Sequence, residues 1–314
     1  MSEMIDNINN IVITGGAGFI GSHLVEALSN KGFSITVIDN FSRGDKNTVM
    51  PYLNDIDLVE TSILNEKKIE RYIQKSDAIF HLSALSRVIP SIKNPKLCYQ
   101  SNISGTEIIA RLCSKYDKKI IFSSSREVYG NAKKLPVSEL SPLIPENPYG
   151  ASKLASEAII RAYSRTHGLT YQILRLANVY GSQDFDRVIP TFIERGIQGQ
   201  NIFIYGGEQI IDFVYIDDVI NAFILCLQKK NDNEIVNIGS GSGTNLKSLA
   251  ESIIEILSSN SKIIYKKKRR GEIDQFVADI SYAKKVFGWT PETSLKTGLE
   301  KLIDLYPKPT ISHY

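Results

Sequence analysis

Short apolar runs rich in β-branched residues alternate along this chain with longer stretches whose apolar residues return every three or four positions. Ile11-Val12-Ile13 reads as a buried parallel strand. Ile20, Leu24, Val25 and Leu28 follow at helical spacing, so a helix begins near Phe19. Ser34-Ile35-Thr36-Val37-Ile38, Asp77-Ala78-Ile79-Phe80-His81-Leu82, Lys119-Ile120-Ile121-Phe122 and Tyr171-Gln172-Ile173-Leu174-Arg175-Leu176 predict further strands, with helices over 97–116 and 149–167. The alternation predicts an α/β fold, a doubly wound parallel sheet covered by helices on both faces. Ligands of such sheets bind beyond the C-terminal strand ends, where the first glycines, His81-Leu82-Ser83-Ala84 and Ser123-Ser124-Ser125 fall. From about Asn178 the rhythm changes, and turn-rich segments such as Gly181-Ser182-Gln183-Asp184 and Tyr205-Gly206-Gly207-Glu208 interrupt shorter elements. We therefore expect a dinucleotide-binding unit from 1–177 plus 211–238, the latter returning to the main sheet. The rest, 178–210 plus 239–314, forms a smaller C-terminal α/β lobe for the substrate.

The join between the first strand and helix carries chemistry. Thr14-Gly15-Gly16-Ala17-Gly18-Phe19-Ile20-Gly21 has the spacing of the dinucleotide-binding fingerprint of Rossmann-type sheets. Gly15 suits the tight turn, Gly18 admits the pyrophosphate close to the backbone, and Gly21 lets the helix pack on the strand. Free N–H groups and the positive dipole end of the helix face the phosphates. The second strand ends in Asp39, near the expected spacing of about 20 residues. A carboxylate there binds the adenosine ribose hydroxyls and repels a 2′-phosphate, favouring NAD over NADP. Arg43 is the one nearby group that argues the other way.

Composition narrows the class without naming it. The 314 residues, 42% hydrophobic and 23% charged, suit a globular chain with a full-sized core. A formal charge of +3 is too small to imply nucleic acid. Cys98, Cys113 and Cys226 lack metal or redox spacing and read as buried free thiols of a reducing, cytoplasmic compartment. No apolar run reaches the ~20 residues of a membrane span, and the first ten residues lack the basic start and apolar core of a signal peptide. His23, His81, His167 and His313 form no metal-ligand spacing, so no metal is expected; His81 reads as a packed, hydrogen-bonded strand end. The run Lys266-Lys267-Lys268-Arg269-Arg270 is the single charge block and reads as a solvated strand end.

Tyr149-Gly150-Ala151-Ser152-Lys153 places a phenol and an ammonium on one helix face. A lysine beside a tyrosine favours the phenolate and lowers a pKa that is ordinarily about 10. Such a tyrosine exchanges a proton with a substrate hydroxyl while a nicotinamide takes hydride from the same carbon.

Together these segments resemble the extended short-chain dehydrogenase/reductase family, in its NAD-dependent nucleotide-sugar epimerase/dehydratase branch. The resemblance rests on TGGAGFIGSHL, Val37-Ile38-Asp39-Asn40, Phe80-His81-Leu82-Ser83-Ala84, Asn102-Ile103-Ser104-Gly105-Thr106, SSSREVYG from Ser123, YGASK, LRLANVYG from Leu174 and DFVYIDDV from Asp212. It implies a triad of Ser125, Tyr149 and Lys153: Ser125 on the sugar C4 oxygen, Tyr149 as acid/base, Lys153 on the nicotinamide ribose. It places the cofactor against Gly15, Gly18, Phe19, Ile20, Asp39, Asn40 and Ser42. Further contacts are implied from Ser62, Ile63, Leu82, Ser83, Ala84, Asn102 and Ser123. The substrate, a nucleotide-diphosphate sugar with UDP-sugars foremost, is implied against Ser125, Asn178, Arg187, Tyr205 and Arg269. A homodimer through helices 97–116 and 149–167 is the family's usual assembly.

Departures from the branch concern the reaction. Thr61-Ser62-Ile63 replaces the usual Gly-Asp-Ile against adenine, and Ile211 stands where an arginine usually precedes Asp212. The branch's epimerases usually carry small residues after the serine; its dehydratases and decarboxylases carry a glutamate at the position of Glu127. If 125–127 is extended, Ser125 and Glu127 point to one side, and Glu127 can remove the C5 proton of a 4-keto sugar. Alternatively Glu127 pairs with Arg126. The expected activity is a 4-epimerase working through a transient 4-keto sugar. A 4,6-dehydratase, decarboxylase or C4 dehydrogenase using Glu127 is the alternative, and a non-catalytic NAD-binding sensor a remote one.

Overall fold

Seven parallel strands form the main sheet of the computed structural model, which describes residues 8–227, 232–268, 271 and 273–307. In chain order the strands are β1 (Asn10–Thr14), β2 (Ser34–Asp39), β3 (Ile56–Glu60), β4 (Ala78–His81), β5 (Lys119–Ser125) and β6 (Tyr171–Leu176). There follow β7 (Asn178–Tyr180), β8 (Ile202–Tyr205), β9 (Ile210–Tyr215), β10 (Glu234–Ile238), β11 (Gly243–Asn245), β12 (Ile263–Lys266) and β13 (Gln275–Phe276). The main sheet runs β10-β6-β5-β4-β1-β2-β3, every pair parallel, and its order reverses between β1 and β4. At such a switch point the loops after neighbouring strands diverge to opposite faces and leave a crevice.

The buried faces follow from composition. Val12, Ile38, Ile79, Ile120 and Ile173 point to one side of the sheet, under α2 (Glu66–Lys75), α5 (Gly105–Lys115) and α6 (Pro148–His167). Ile11, Ile13, Val37, Phe80, Ile121 and Leu174 point to the other, under α1 (Phe19–Ser29) and α8 (Ile216–Leu225). Both faces are apolar because helices cover both. The helix expected over 97–116 is built from α4 (Pro95–Tyr99), a single π-helical turn at Gln100–Ser104, and α5.

Two smaller sheets follow β6. β9 lies at the centre of one, parallel to β7 and β13 and antiparallel to β11; β8 and β12 form the other. The stretch 211–238 therefore divides. Its first strand, β9, belongs to the smaller sheet, where it pairs with β7, β11 and β13, and only β10 returns to the main one; Asp212 on β9 is tied to the residues after β10. Fully buried, that carboxylate accepts the backbone N–H groups of Ser240, Gly241 and Ala278. Asp218 at the start of α8 accepts the N–H groups of Glu292 and Thr293, and Trp289 donates its indole N–H to the Asp218 carbonyl at 2.9 Å. These bonds fasten the C-terminal segment to the helix that covers β1.

Candidate active site

At the switch point the loops after β1 and β4 touch. Gly15 has φ +73°, and a Cβ there would lie 2.8 Å from the Ser83 backbone. Only glycine meets both the conformation and the space. Gly18 precedes α1 without a side-chain cap, so the first N–H groups of the helix are left for a ligand. At the end of β2, Asp39 accepts one backbone N–H on each carboxylate oxygen, from Ala17 at 3.0 Å and Phe41 at 2.8 Å. Burial pushes its pKa up, and these hydrogen bonds oppose the shift. A carboxylate has about four acceptor sites, so two remain for ribose hydroxyls. The uncapped helix start and the anchored carboxylate fit NAD: one takes a pyrophosphate, the other a diol.

One cavity of about 1080 Å³ runs from this cradle past the ends of β4 and β5 to the smaller sheets. That exceeds a typical small-molecule pocket and suits two ligands end to end. Gly15, Gly18, Phe19, Ile20, Asp39, Asn40, Ser42 and Arg43 line its first part, and Leu82, Ser83, Ala84 and Ser123 its middle. Ser125, Glu127, Tyr149, Lys153, Asn178, Arg187 and Tyr205 line the remainder. Ser62, Ile63 and Asn102 are not in its wall. Ser62 accepts the Leu64 N–H, and Ile63 is buried where a Cβ on Gly105 would strike its Cδ1. Asn102, in the π-helical turn, accepts the Leu85 N–H at 2.8 Å and donates to Ser152 at 2.8 Å. It thus fixes the loop after β4 from behind. Arg269 and Arg270 lie outside the described residues.

Asn147 organises the far half. Its side chain accepts the Gly150 N–H at 2.9 Å and starts α6, with Pro148 in the first turn. One turn on, Tyr149 and Lys153 face β5. Lys153 Nζ donates to the Ser123 carbonyl at 2.6 Å and lies 6.0 Å from the Tyr149 ring centre. Burial pushes the Lys153 ammonium down to about 7 and the Tyr149 phenol up to about 12. Burial is the largest effect on both groups, and it leaves the phenol above its ordinary value rather than below it. A hydrogen bond with Ser125 and the charge of Arg187 favour the phenolate. His81 is buried between Thr14 at 2.8 Å and Thr106 at 3.0 Å, and burial then the Lys153 charge push its pKa down to about 3. Thr106 donates to the Asn102 carbonyl, so the imidazole is neutral with its proton on Nε2.

Glu127 is not on an extended strand. β5 ends at Ser125, and Arg126–Val128 form a 3₁₀ turn begun by the Ser125 hydroxyl accepting the Glu127 N–H. Glu127 Oε1 lies 3.2 Å from Arg126 Nη2, and its Oε2 accepts from Asn147 Nδ2 at 2.7 Å. Arg126 Nε donates to Asn178 Oδ1 at 2.5 Å. Arg187 pairs with Asp184 at 3.2 Å, while Arg87 donates to the Phe185 and Asp186 carbonyls. Burial pushes the Asp184 carboxyl up to about 6, against the opposing charges of Arg187, Arg87 and Arg43. The sequence reading missed Arg87, Asn147 and Asp184; Asn147-Pro148 ahead of the YGASK helix was the one local signal, an N-cap.

Residues 11–239 match the family model described as the NAD dependent epimerase/dehydratase family. The structure resembles that of UDP-glucose 4-epimerase with UDP-glucose from Thermotoga maritima, at TM-score 0.90 and 36% identity over 94% of this chain and 97% of that one. The sequence is 33% identical to a UDP-N-acetyl-alpha-D-glucosaminuronate decarboxylase of Bacillus cytotoxicus, over 94% of this chain and 97% of the relative. It is 32% identical to a UDP-glucose 4-epimerase of Lactobacillus helveticus, over 90% and 92%. With this likeness over nearly its whole length and a cavity built for a dinucleotide, the chain belongs to the NAD-dependent epimerase/dehydratase family of enzymes.

Proposed function

We propose that this enzyme inverts C4 of a nucleotide-diphosphate sugar, a UDP-sugar first among them, through a transient 4-keto sugar. The observation that carries this reading over elimination or decarboxylation is the state of Glu127. Arg126 pairs with one carboxylate oxygen and Asn147 donates to the other, so the carboxylate is tethered to the chain at both oxygens and its orientation is fixed by its neighbours. Names among the relatives point both ways, to epimerases and to a decarboxylase.

Bound NAD supplies the hydride acceptor and donor at C4. The chain does the rest. Ser125 and Tyr149, hydrogen-bonded to each other, share the C4 oxygen, and the proton passes between that oxygen and the Tyr149 Oη. Lys153, held on the Ser123 carbonyl, faces the nicotinamide ribose, and Arg187 keeps positive charge near the phenol. Asn178, Arg187 and Tyr205 hold the nucleotide sugar in the part of the cavity lined by the smaller sheets, and Arg269 is the diphosphate ligand that the family resemblance implies. The main sheet thereby serves NAD and the smaller sheets the substrate, and the room between them lets the keto sugar turn its other face.

A homodimer through the helices over 95–115 and 148–167 and a cytoplasmic location belong to the same reading; the three buried free thiols support the latter. Incubation with a panel of nucleotide sugars in heavy water tests the reaction, with products identified by mass spectrometry and NMR. The expected product is a C4 epimer of unchanged mass without solvent deuterium. Loss of water or of carbon dioxide overturns the proposal.

A further inference from the structure

Arg126 directly follows Ser125, at the turn where the main sheet gives way to the substrate half of the cavity. A guanidinium in that place is expensive to bury, and it is buried: the side chains of Arg126 and Glu127 are 11% and 8% exposed. Three contacts hold it, to Asn178 Oδ1, to Glu127 Oε1 and over the Phe276 ring at 5.8 Å. Among the described residues its Nη1 is buried without a partner. What it does is occupy a carboxylate that shares the cavity with Ser125 and Tyr149.

We propose that Arg126 is a specificity-determining residue that keeps Glu127 from acting as a base on the keto sugar, so that the sugar leaves only as epimer or reactant. The proposal rests on the 4-epimerase reading. A ketone at C4 acidifies the hydrogens on the adjoining carbons. A free carboxylate takes one such proton, and the C–H electron pair moves into the enolate. Return of a solvent-derived proton to the same carbon restores the ketone. The cycle consumes nothing and needs no oxidant, so its trace is isotope exchange. Arg126 Nη2 at 3.2 Å and Asn147 Nδ2 at 2.7 Å tether the two Glu127 oxygens to the chain, so the carboxylate is committed to the protein before a sugar arrives.

The test uses the full-length enzyme in heavy water, with a nucleotide sugar that the wild type inverts. Deuterium bound to sugar carbon is counted per C4 inversion in wild type, Arg126→Met, Arg126→Lys and Arg126→Met combined with Glu127→Gln. The wild type should incorporate none. Arg126→Met should raise exchange at least about tenfold over background, and adding Glu127→Gln should return it there. Arg126→Lys, which keeps a cation beside Glu127 but not the fork to Asn178, should fall between. Inversion by Arg126→Met without exchange overturns the proposal, as does exchange that survives Glu127→Gln. If Arg126→Met does not fold, the lysine variant decides, and exchange at the wild-type level overturns the proposal. A wild type that eliminates water instead of inverting C4 refutes the epimerase reading itself, a different outcome from an epimerase whose variants show no exchange.

Discussion

Asp184 is a carboxylate in a place that suits a carboxyl. It is 4% exposed, one of its oxygens has no partner among the described residues, and burial pushes its pKa from the ordinary 3.8 up to about 6. Between those values the folded protein holds a proton that the unfolded chain has lost. The group's contribution to stability is thus full below about pH 4 and falls as pH rises through about 6, by up to about 3 kcal/mol. Asp184→Asn removes the slope. Its stability relative to wild type should improve between pH 4.5 and pH 7.5, read by denaturant melts, and a difference that stays constant with pH would refute the shift. Tyr149 gives the complementary prediction for chemistry. Tyr149→Phe should lower turnover by about 10²–10⁴-fold while NAD still binds in calorimetry. Persisting turnover would remove Tyr149 from its proposed role.

At the scale of elements, the strand carrying Ser125 and the helix carrying Tyr149 are locked by a buried ion pair. Glu157, two turns after Tyr149 on α6, receives two bonds from Arg175 on β6, at 2.7 and 3.0 Å, and a third from the Ser124 hydroxyl. Arg175 also donates to Tyr129 at 2.9 Å. Arg175→Met leaves Glu157 buried and uncompensated and should cost about 3–5 kcal/mol, whereas combining it with Glu157→Leu should recover most of that loss. Equal loss in both, by thermal unfolding, would show that Glu157 finds another partner. The elements were legible where their signals are local, as in the apolar runs of β1, β2, β4, β5 and β6; the Asn147 cap, Pro148 and Gly168 that bound α6 went unread. The π-helical turn was not legible, since Asn102 owes its place to the loop at Leu85, 17 residues away. Nor was the turn at Arg126–Val128, which a Ser125 side-chain bond diverts from the extended course that alternation suggests.

For the whole molecule, the fold class and the glycine turn with Asp39 could be read from the chain because they act through backbone geometry, whereas Ser62, Ile63 and Asn102 lie outside the cavity wall. At the substrate end the resemblance named Ser125, Asn178, Arg187 and Tyr205, which line the cavity. The pairings Arg126–Glu127–Asn147 and Arg87 with the 185–186 carbonyls join distant segments, and no periodicity announces them. The membership of β9 in the smaller sheet was hidden as well: Ile210–Tyr215 is apolar enough for either sheet, and its strand partners β7, β11 and β13 come from other parts of the chain. Assembly belongs at this scale as well. The proposed homodimer predicts a light-scattering mass twice that of the chain at micromolar concentration, and a monomer mass would refute it.

The chain has a single tryptophan, Trp289, 4% exposed with its indole tied to Asp218. Fluorescence excited selectively in the indole therefore reports from the C-terminal segment. Its emission should stay blue-shifted while the segment remains on α8 and move to the red when it departs. Set beside cofactor release in one denaturant titration, that single dye says whether the molecule comes apart as one unit or sheds its tail first.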